Sequence, residues 1–470
     1  MKYGHRLQVE IQTYDESGRG TCRIGIDRAG KQVAAGQGES DTTVAVPFAC
    51  VGDQALVTFV KREYGVKVCR LDEINAPGPD RVAAPCPHAG VCGGCLWQHL
   101  AYPAQLAEKQ RGVNELFAKF DLSDRVRPVM PADQTLGYRN RMDYCVGWNG
   151  EVGLKEYGSW NRYVDLRQCL LMKPDAAPIL QAVRDWMREF DLQPWDAKFH
   201  AGDVRYAVVR DGQNTGQRLV TVVVKDSKRV GDDAKRHLSE KLAPHCTGLL
   251  LGELTKDTDL SLAETFEPLI GEPWFDERVN DVTYRIHPNS FFQTNTAMAA
   301  RLQDAVLNTI AMEIRDSNFE IRKILDLYCG LGFFGIAAAK RFEGAHIYGY
   351  EIDEQAIKLA SQNAINNGVG EKCEFQAGKA EDLSWKNIPA DTVILDPPRS
   401  GLHPKVLMSL VGEGSMQPRS IVYVSCNYRR FKDELPAFLK HYDVVSVQPL
   451  DLFPQTRHVE VVVEFKKKAV

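Results

Sequence analysis

The alternation of apolar and polar positions divides the chain into three regions. Residues 5–75 alternate between glycine- and aspartate-bearing turns, which predicts about five short strands in a small β-barrel. A linker with four prolines in 13 residues, NAPGPDRVAAPCP, follows the last of these strands. Beyond it, LAYPAQLAEKQRGVNELFAKF has the spacing of a helix and GQRLVTVVVKD that of a strand, so the region up to about residue 300 is predicted to be α+β.

From residue 320 onward, continuous apolar segments alternate with helical ones. The segments RKILDLYCG, HIYGYEID, DTVILDPP and SIVYVSCN are each followed by a predicted helix. Strands without an exposed face, joined by helices, indicate a parallel sheet covered on both sides. The predicted fold class is therefore multidomain, with a small β-barrel in residues 1–75, an α+β domain in 76–300 and an α/β domain in 301–470.

Composition and charge add little to this division. The chain has 470 residues, of which 44% are hydrophobic and 26% charged, as expected for several globular domains. The formal net charge is −4, although the first 70 residues hold ten Lys and Arg against eight Asp and Glu. The N-terminus lacks the apolar core of a signal peptide, and no segment approaches the roughly 18 apolar residues of a membrane helix. These features predict a cytoplasmic protein with no membrane partner and no obligate protein partner.

Three cysteines lie close together in APCPHAGVCGGCLWQHL. Cys86, Cys92 and Cys95 are separated by five and two residues, among prolines and glycines that allow one loop to direct them inward. In a reducing compartment such a group indicates metal or redox chemistry rather than disulfides. Cys169 is the best candidate for a fourth ligand. Three close cysteines and one distant one favour a [4Fe–4S] cluster, with structural zinc and loop thiols without a metal as alternatives.

A second group of candidate residues begins in LDLYCGLGFFGI. Gly330, Gly332 and Gly335 form a G-x-G-x-x-G turn between a predicted strand and a predicted helix, which lets the backbone approach a cofactor closely. Glu351 ends the next strand, 21 residues after Gly330, near where an acid that binds ribose hydroxyls is expected. This pattern alone fits NAD and S-adenosylmethionine equally.

Four chemically useful side chains lie where predicted parallel strands end. They are Tyr328, Glu351, Asp396 in VILDPPRSGLHP, and Cys426 in IVYVSCNYRR. Because such sheets bind ligands outside the carboxyl ends of their strands, one crevice can collect all four. In the C-terminal DLFPQTRHVEVVVEF, His458 and Glu460 share one face of a predicted strand. A carboxylate there, beside a nucleophile and a cofactor, can act as a general base.

A methyltransferase, unlike a dehydrogenase, has a use for both Asp396 and Cys426. With these motifs in order, the sequence resembles the RNA uracil-5-methyltransferases, which use S-adenosylmethionine to make 5-methyluridine. The resemblance extends over nearly the whole chain and is carried by YRNRMDY, SFFQTN, DLYCGLG, DPPRSGL, VSCN and FPQTRHVE. It implies a TRAM-type, OB-like barrel that binds RNA, an iron–sulfur loop in the central domain, and a Rossmann-like catalytic domain.

The resemblance also implies roles for individual residues. Cys426 is expected to be the nucleophile that adds to C6 of the uracil, and Glu460 the base that removes the C5 proton. The positions expected to bind S-adenosylmethionine are Gln293, Tyr328, Glu351 and Asp396. The expected ligands of the [4Fe–4S] cluster are Cys86, Cys92, Cys95 and Cys169.

Two positions depart from the family pattern. Tyr428 replaces the proline that usually follows Cys-Asn, and Phe333 stands where many members carry asparagine. The first change loosens the exit from the strand, and the second removes a polar contact to the cofactor. Arg429 and Arg430 follow directly and are candidates for lowering the pKa of the Cys426 thiol.

The RNA target and three rival functions are left open by the sequence. Family members with both barrel and cluster mostly act on large-subunit ribosomal RNA, so the resemblance favours 23S rRNA, with tRNA as the second target. RNA cytosine-5 methylation, the first rival, usually involves a second cysteine next to the Pro-Pro motif, and DPPRSGL has none. The second is an NAD-dependent oxidoreductase, and the third is a non-catalytic RNA-binding iron–sulfur protein. The presence of Cys426, Asp396 and Glu460 argues against the third.

Overall fold

Packing divides the chain into two compact units. The computed structural model describes residues 2–27, 32–37, 40–317, 321–412 and 414–469. Unit 1 is built from Met1–Glu108, Leu154–Val164 and Phe453–Arg457, and unit 2 from Lys109–Gly153, Asp165–Leu452 and His458–Val470. This division differs from the three predicted domains, whose boundaries after residues 75 and 300 stay predictions. Each helix of the described residues is too short or too polar to cross a membrane.

Unit 1 contains a ring of strands near the N-terminus. They are β1 (Arg6–Glu10), β2 (Thr13–Tyr14), β3 (Gly20–Ile26), β4 (Gln32–Val33), β5 (Ser40–Val46), β6 (Gln54–Glu63) and β7 (Val66–Ala76). Their order is β1-β6-β7-β5-β3-β2, with β4 paired to β3. Between β1 and β2, the Ile11 N–H donates to Asp53 O at 2.9 Å and the Gln12 N–H to Thr21 O at 2.8 Å. Because this stretch pairs with β6 at its start and with β3 at its end, the pairings close on themselves.

The ring follows from the alternation seen in the sequence. In β1, Leu7 and Val9 are buried while the residues between and beside them are exposed. Buried side chains from the other strands, among them Val44, Val57 and Phe59, fill the same interior. Side chains on a strand point to opposite faces in turn, so one apolar face of each strand is enough to line the inside of the ring.

A mixed sheet forms the first half of unit 2. The elements from here to the catalytic half are α1 (Tyr102–Ala118), β8 (Arg141–Val146), β9 (Val152–Lys155), β10 (Tyr163–Asp165), α2 (Ala177–Glu189), β11 (Val204–Asp211), β12 (Arg218–Val224), α3 (Asp232–Leu242), β13 (Gly248–Glu253), β14 (Thr265–Ile270), the hairpin β15 (Phe275–Val279) and β16 (Val282–Ile286), and α4 (Thr296–Ser317). Strands β8, β11, β12, β13 and β14 lie side by side in that order. All residues of β11 and β12 are buried, as in a sheet covered on both faces.

Strand β11 also positions the loop that leads from β16 to α4. Arg210 is buried, and its Nη1 donates to the carbonyl oxygens of His287, Pro288 and Ser290 at 2.8, 2.9 and 2.8 Å. Hydrogen bonds to a charged donor are strong, so they hold this loop in one conformation. The SFFQTN motif lies in the same loop, directly before α4.

A second sheet forms the other half of unit 2. Its elements are β17 (Lys323–Leu327), α5 (Phe333–Arg341), β18 (His346–Glu351), α6 (Glu354–Asn366), β19 (Cys373–Ala377), β20 (Thr392–Leu395), α7 (Pro404–Val411), β21 (Ser420–Ser425), α8 (Tyr428–Phe431), α9 (Leu435–Phe438), β22 (Tyr442–Leu450) and β23 (Glu460–Lys467). The strand order is β19-β18-β17-β20-β21-β23-β22. The predicted parallel arrangement is right for β17 to β21 and wrong for β23, which is antiparallel to β21 and β22. The short segment between β22 and β23 holds no helix, and a parallel connection needs about a dozen residues or more.

Candidate active site

The register of the second sheet places three carboxylates on one face. Asp326 of β17 lies opposite Gly349 of β18 and Ile394 of β20. Side chains two residues apart on a strand share a face. Glu351 and Asp396, each two residues beyond a partner of Asp326, therefore project on the same side at the carboxyl ends of their strands.

The same face carries the predicted nucleophile and base. Val424 of β21 lies opposite Val462 of β23. Cys426 is two residues beyond Val424, and Glu460 is two residues before Val462, so both extend this face. The pairing of β20 with β21 continues it to Asp396. Four of the side chains predicted from separate motifs, Glu351, Asp396, Cys426 and Glu460, thus share one face at one edge of the sheet.

The Gly-rich turn after β17 has the backbone conformation that a cofactor site needs. Gly330 and Gly332 have φ angles of 55° and 87°, which glycine adopts without strain. A Cβ on Gly332 would lie 2.7 Å from Ile336 Cδ1. The Gly330 N–H donates to Glu351 Oε2 at 3.3 Å, and Glu351 Oε1 accepts the Ile352 N–H at 2.8 Å. Glu351 therefore closes the turn and stands where an acid can bind ribose hydroxyls.

The other two predicted cofactor residues border this turn. Tyr328 directly follows β17 with a φ of 65°, and its N–H donates to Tyr350 O at 2.9 Å. Burial raises the pKa of the Tyr328 phenol to about 12, so it remains a hydrogen-bond donor at neutral pH. Gln293 is buried, and its carbonyl oxygen accepts from Asn140 Nδ2 at 2.8 Å. Its neighbour Phe292 packs edge-on against Phe333 at 5.7 Å, which places Gln293 beside the turn.

Phe333 fills space in this region instead of binding a polar group. Its ring lies 5.5 Å from that of Tyr284 and 4.9 Å from that of Phe334. Its carbonyl oxygen accepts the Tyr284 hydroxyl at 2.7 Å and Gln303 Nε2 at 2.9 Å. The departure from the family pattern is thus accommodated by an aromatic cluster behind the turn.

Asp326 is a site residue that the sequence reasoning missed. It is fully buried, and its Oδ2 accepts the Gly335 N–H at 2.9 Å, whereas its Oδ1 has no hydrogen-bond partner among the described residues. Burial, together with the charges of Asp396 and Glu351, raises the pKa of Asp326 to about 8. The available signal was an acid in the middle of the apolar strand KILDL, since an acid is rarely buried without a function.

Burial and mutual repulsion also shift the groups around the nucleophile. Burial and the charge of Glu351 raise the pKa of Asp396 to about 7. Burial, Glu460 and Asp396 raise the pKa of the Cys426 thiol to about 12. Burial and Asp396 raise the pKa of Glu460 well above its usual value. In the free protein the thiol is therefore neutral, and the nearby carboxyls hold protons more tightly than ordinary carboxyls.

Arg399 of the DPPRSGL motif is the cation that opposes these shifts. Its charge lowers the pKa of both Cys426 and Glu460. The two arginines suggested by the sequence are engaged elsewhere. Arg429 lies over the Tyr428 ring, 4.6 Å from its centroid, and Arg430 binds the Asp433 carboxylate at 2.7 Å. Arg399 therefore takes the role expected of Arg429 or Arg430, because the strand end of β20 faces the thiol.

Tyr428 is a core residue at the start of α8. It is 3% exposed and belongs to the cluster that packs beneath β21 and β23. A Cβ on Gly112, inside α1, would lie 2.5 Å from the Tyr428 hydroxyl. The aromatic ring that replaces the usual proline is thus matched by a helical glycine that gives it room.

Replacing Gly112 by alanine is expected to destabilise the fold although alanine is the better helix former. The helix gain is about 1 kcal/mol, whereas overpacking a buried ring costs about 1–3 kcal/mol. Y428F removes the clashing oxygen and should restore stability in the G112A background. Urea unfolding of the four proteins of this double-mutant cycle measures the coupling. G378A, at an open position without a positive φ, is the control and should change the unfolding free energy little. A G112A variant more stable than the parent would contradict this explanation.

The cysteines expected to hold a cluster are not placed as one. Among the described residues, no group of three or more His, Cys, Asp or Glu side chains is arranged to hold a metal ion. Cys92 Sγ accepts the Gly94 N–H at 3.4 Å in unit 1, and Cys169 hydrogen-bonds with Tyr144 in unit 2. The [4Fe–4S] prediction from Cys86, Cys92, Cys95 and Cys169 is therefore not supported, because sequence spacing does not fix where the thiols point. No chemical step below depends on such a cluster.

Comparison with known families and sequences places the catalytic half of unit 2 in context. Residues 275–468 match the family model described as tRNA (uracil-5-)-methyltransferase. A tRNA (uracil(54)-C(5))-methyltransferase of Pyrococcus horikoshii is 33% identical over 419 residues, covering 89% of this chain and 94% of that protein. An RNA methyltransferase of Nanoarchaeum equitans is 32% identical over 467 residues, covering 99% of this chain and 95% of that protein.

A solved structure extends the likeness to the fold. The crystal structure of the Pyrococcus abyssi tRNA (uracil-54, C5)-methyltransferase, in complex with S-adenosyl-L-homocysteine, is similar with a TM-score of 0.76 at 29% sequence identity. The match covers 98% of this chain and 100% of that one. It therefore includes both units of the present protein.

Proposed function

This chain belongs to the S-adenosylmethionine-dependent RNA uracil-5-methyltransferases, and we propose that it methylates C5 of a uridine through a covalent adduct between Cys426 Sγ and C6 of the uracil. The observation that carries the proposal is the single face of the sheet on which Cys426, Glu460 and Asp396 lie beside the Gly-rich turn. That arrangement joins a nucleophile, a base and a cofactor position, which is what this chemistry requires.

Cys426 provides the step that makes the uracil reactive. C5 of uracil is too weak a nucleophile to take a methyl group directly. Addition of the Cys426 thiolate to C6 breaks the C5–C6 double bond and gives C5 the character of an enolate carbon, so one difficult step becomes two easier ones. S-adenosylmethionine supplies the methyl group to that carbon.

Glu460 completes the reaction. After methyl transfer C5 carries both the new methyl group and its original hydrogen. Glu460 takes that hydrogen as a proton, the bonding electrons re-form the C5–C6 double bond, and the Cys426 thiolate leaves. Since burial raises the pKa of Glu460, its carboxylate is a stronger base than an exposed one.

Deprotonation of Cys426 is the step for which Arg399 matters. The thiol is neutral in the free protein because burial and two carboxyls raise its pKa. Protonation of Glu460 or Asp396 removes the negative charge that opposes the thiolate, and the Arg399 cation then favours it. The proton of the thiol therefore passes to this pair of carboxyls before addition to the uracil.

The cofactor is proposed to lie across the Gly-rich turn, held by Gln293, Tyr328, Glu351 and Asp396. The left-handed glycines of the turn and the acid at the end of β18 fit a nucleoside cofactor. Asp326 supports the turn from below through the Gly335 N–H. The target base reaches this crevice by turning out of its RNA fold, and the strand ring of unit 1 is proposed to be a TRAM-type barrel that holds the RNA.

For the RNA target we put tRNA first and 23S rRNA second. The preference of the sequence for 23S rRNA depended on the N-terminal barrel as a mark of ribosomal RNA enzymes. The likeness to the P. abyssi tRNA enzyme covers 98% of this chain, so an N-terminal unit of this kind does not separate the two classes. The named relatives act on uridine 54 of tRNA, which supports tRNA for this chain.

Methylation of defined RNAs tests the reaction and its target together. The purified protein is incubated with S-adenosylmethionine and either tRNA transcript, a tRNA transcript with cytidine at position 54, or 23S rRNA, and nucleosides are analysed by mass spectrometry. We expect 5-methyluridine in the tRNA and none in the position-54 variant. Methylation of 23S rRNA alone would make ribosomal RNA the target. A 5-methylcytidine product, or a hydride transfer from NAD, would contradict the reaction itself.

A further inference from the structure

A cavity in unit 1 lies apart from any residue of the proposed reaction. Its volume is about 610 Å³, and strands β6 and β7, the segment around Val91 and the hairpin around Tyr157 line it. Small-ligand sites are typically roughly 300–1,000 Å³, so the cavity has room for one nucleotide. We call it the barrel pocket and define it by Phe48, Lys61, Arg70, Tyr157 and Arg162.

Two aromatic rings form one wall of the barrel pocket. The rings of Phe48 and Tyr157 meet edge to face with centroids 5.2 Å apart. Phe48 has a φ of 64°, a conformation that a bulky residue rarely adopts. Its carbonyl oxygen accepts from Arg81 Nη2 at 2.8 Å, and Arg81 is paired with the fully buried Asp53 at 2.6 Å. The structure thus fixes this ring in a strained position, as ligand-binding segments often do.

Three cations and one acid line the same cavity. The side chains of Lys61, Arg70 and Arg162 are 44%, 66% and 67% exposed, and the acid is Glu156. Each cation is paired with a carboxylate at the surface. Exposed ion pairs of this kind contribute little, so a phosphate can replace the carboxylate partner at small cost.

We propose that the barrel pocket binds one unstacked nucleotide of single-stranded RNA, with its base against Phe48 and Tyr157 and its phosphates at Arg70 and Arg162. Stacking on an aromatic platform beside a row of cations is how proteins bind single strands, and it tolerates any base. The inference depends on the proposed function, because the RNA is the methylation substrate. It adds a second point of attachment, which the reacting uridine does not occupy.

Salt dependence of RNA binding tests the phosphate contacts. Each lost contact to a single strand lowers the slope of log K against log salt by about 0.7. R70Q and R162Q together are therefore expected to lower it by about 1.4, with RNA affinity measured by fluorescence anisotropy. R23Q is the matched control, since Arg23 is 67% exposed and paired with Asp41 in the same unit but does not line the pocket. It should leave the slope unchanged.

Replacement of the aromatic wall tests the base contact. Stacking of one base corresponds to a loss of roughly 5- to 100-fold in affinity when the ring is removed, so F48L is expected to fall in that range. Y64L is the control, because Tyr64 is fully exposed on the same ring of strands and is not in the pocket. The exposed R70Q and R162Q changes cannot unfold the protein, so they keep the proposal testable even where F48L does not fold.

The outcomes separate this proposal from the reaction. Pocket variants that bind RNA with the affinity and salt slope of the parent, while the parent makes 5-methyluridine, would overturn the pocket and leave the function intact. Pocket-dependent RNA binding without any methylation would overturn the function and leave the pocket. Uridine monophosphate binding that depends on the pocket, with RNA binding unaffected, would identify a free-nucleotide site and also overturn the proposal.

Discussion

Replacing Cys426 by serine is expected to abolish methyl transfer, with turnover reduced by about 10⁴-fold or more. A serine hydroxyl is far less nucleophilic and far harder to ionise than a thiol, so the adduct at C6 cannot form. The direct measurement uses RNA containing 5-fluorouridine together with S-adenosylmethionine. Fluorine cannot leave C5 as a proton, so the parent protein should form a stable protein–RNA adduct on a denaturing gel, and C426S should form none.

A second cysteine provides the control for this substitution. Cys373 is also half-buried, and burial likewise raises the pKa of its thiol to about 12. It begins β19 and so lies at the opposite, amino end of the parallel strands. C373S should form the adduct at the parental rate. An adduct in C426S, mapped to any other residue, would remove Cys426 from the mechanism.

Replacing Glu460 by glutamine is expected to stop the reaction at a later point. Without the base, the C5 proton stays in place after methylation and the Cys426–uracil bond persists. Turnover should fall by about 10²–10⁴-fold, while a methylated covalent adduct accumulates on ordinary RNA. A denaturing gel with labelled S-adenosylmethionine detects it. Turnover of E460Q at the parental rate would show that another group removes the proton.

The pH behaviour of Glu460 strengthens this test. Its pKa is raised in the folded protein, so the fold favours the protonated form, and ionisation at higher pH costs stability. Glutamine is always neutral, and E460Q should therefore unfold at the same or a higher temperature than the parent at neutral pH. Activity lost by E460Q is then not explained by unfolding. E464Q, another buried glutamate of β23, is the control and should not accumulate the adduct.

The strand ends were the part of the site that sequence could predict. Apolar strands between glycine turns identify a parallel sheet, and a parallel sheet collects its carboxyl ends at one edge. For this reason Glu351, Asp396 and Cys426 could be grouped from motifs far apart in the chain. The family was predicted correctly in the same way, because few kinds of enzyme have a use for all of those side chains.

Other features depended on side-chain direction, which spacing does not determine. Asp326 was hidden because strand patterns treat the middle of an apolar segment as packing. Arg399 could not be preferred over Arg429 and Arg430 without knowing that α8 turns the latter two away from the thiol. The cysteine spacing suggested a cluster that the described residues do not form. The fit between Tyr428 and Gly112 joins residues more than 300 positions apart and leaves no local pattern.

The composition of unit 1 from three chain segments has a consequence for the order of synthesis. Its last segment, Phe453–Arg457, provides interior contacts: the Trp97 N–H donates to Gln455 O at 3.0 Å, and Gln105 Nε2 to Gln455 Oε1 at 3.0 Å. A ribosome makes this segment only when the chain is almost finished. The N-terminal unit is thus the first to be translated and cannot be completed until nearly the last residues emerge, so its assembly is post-translational.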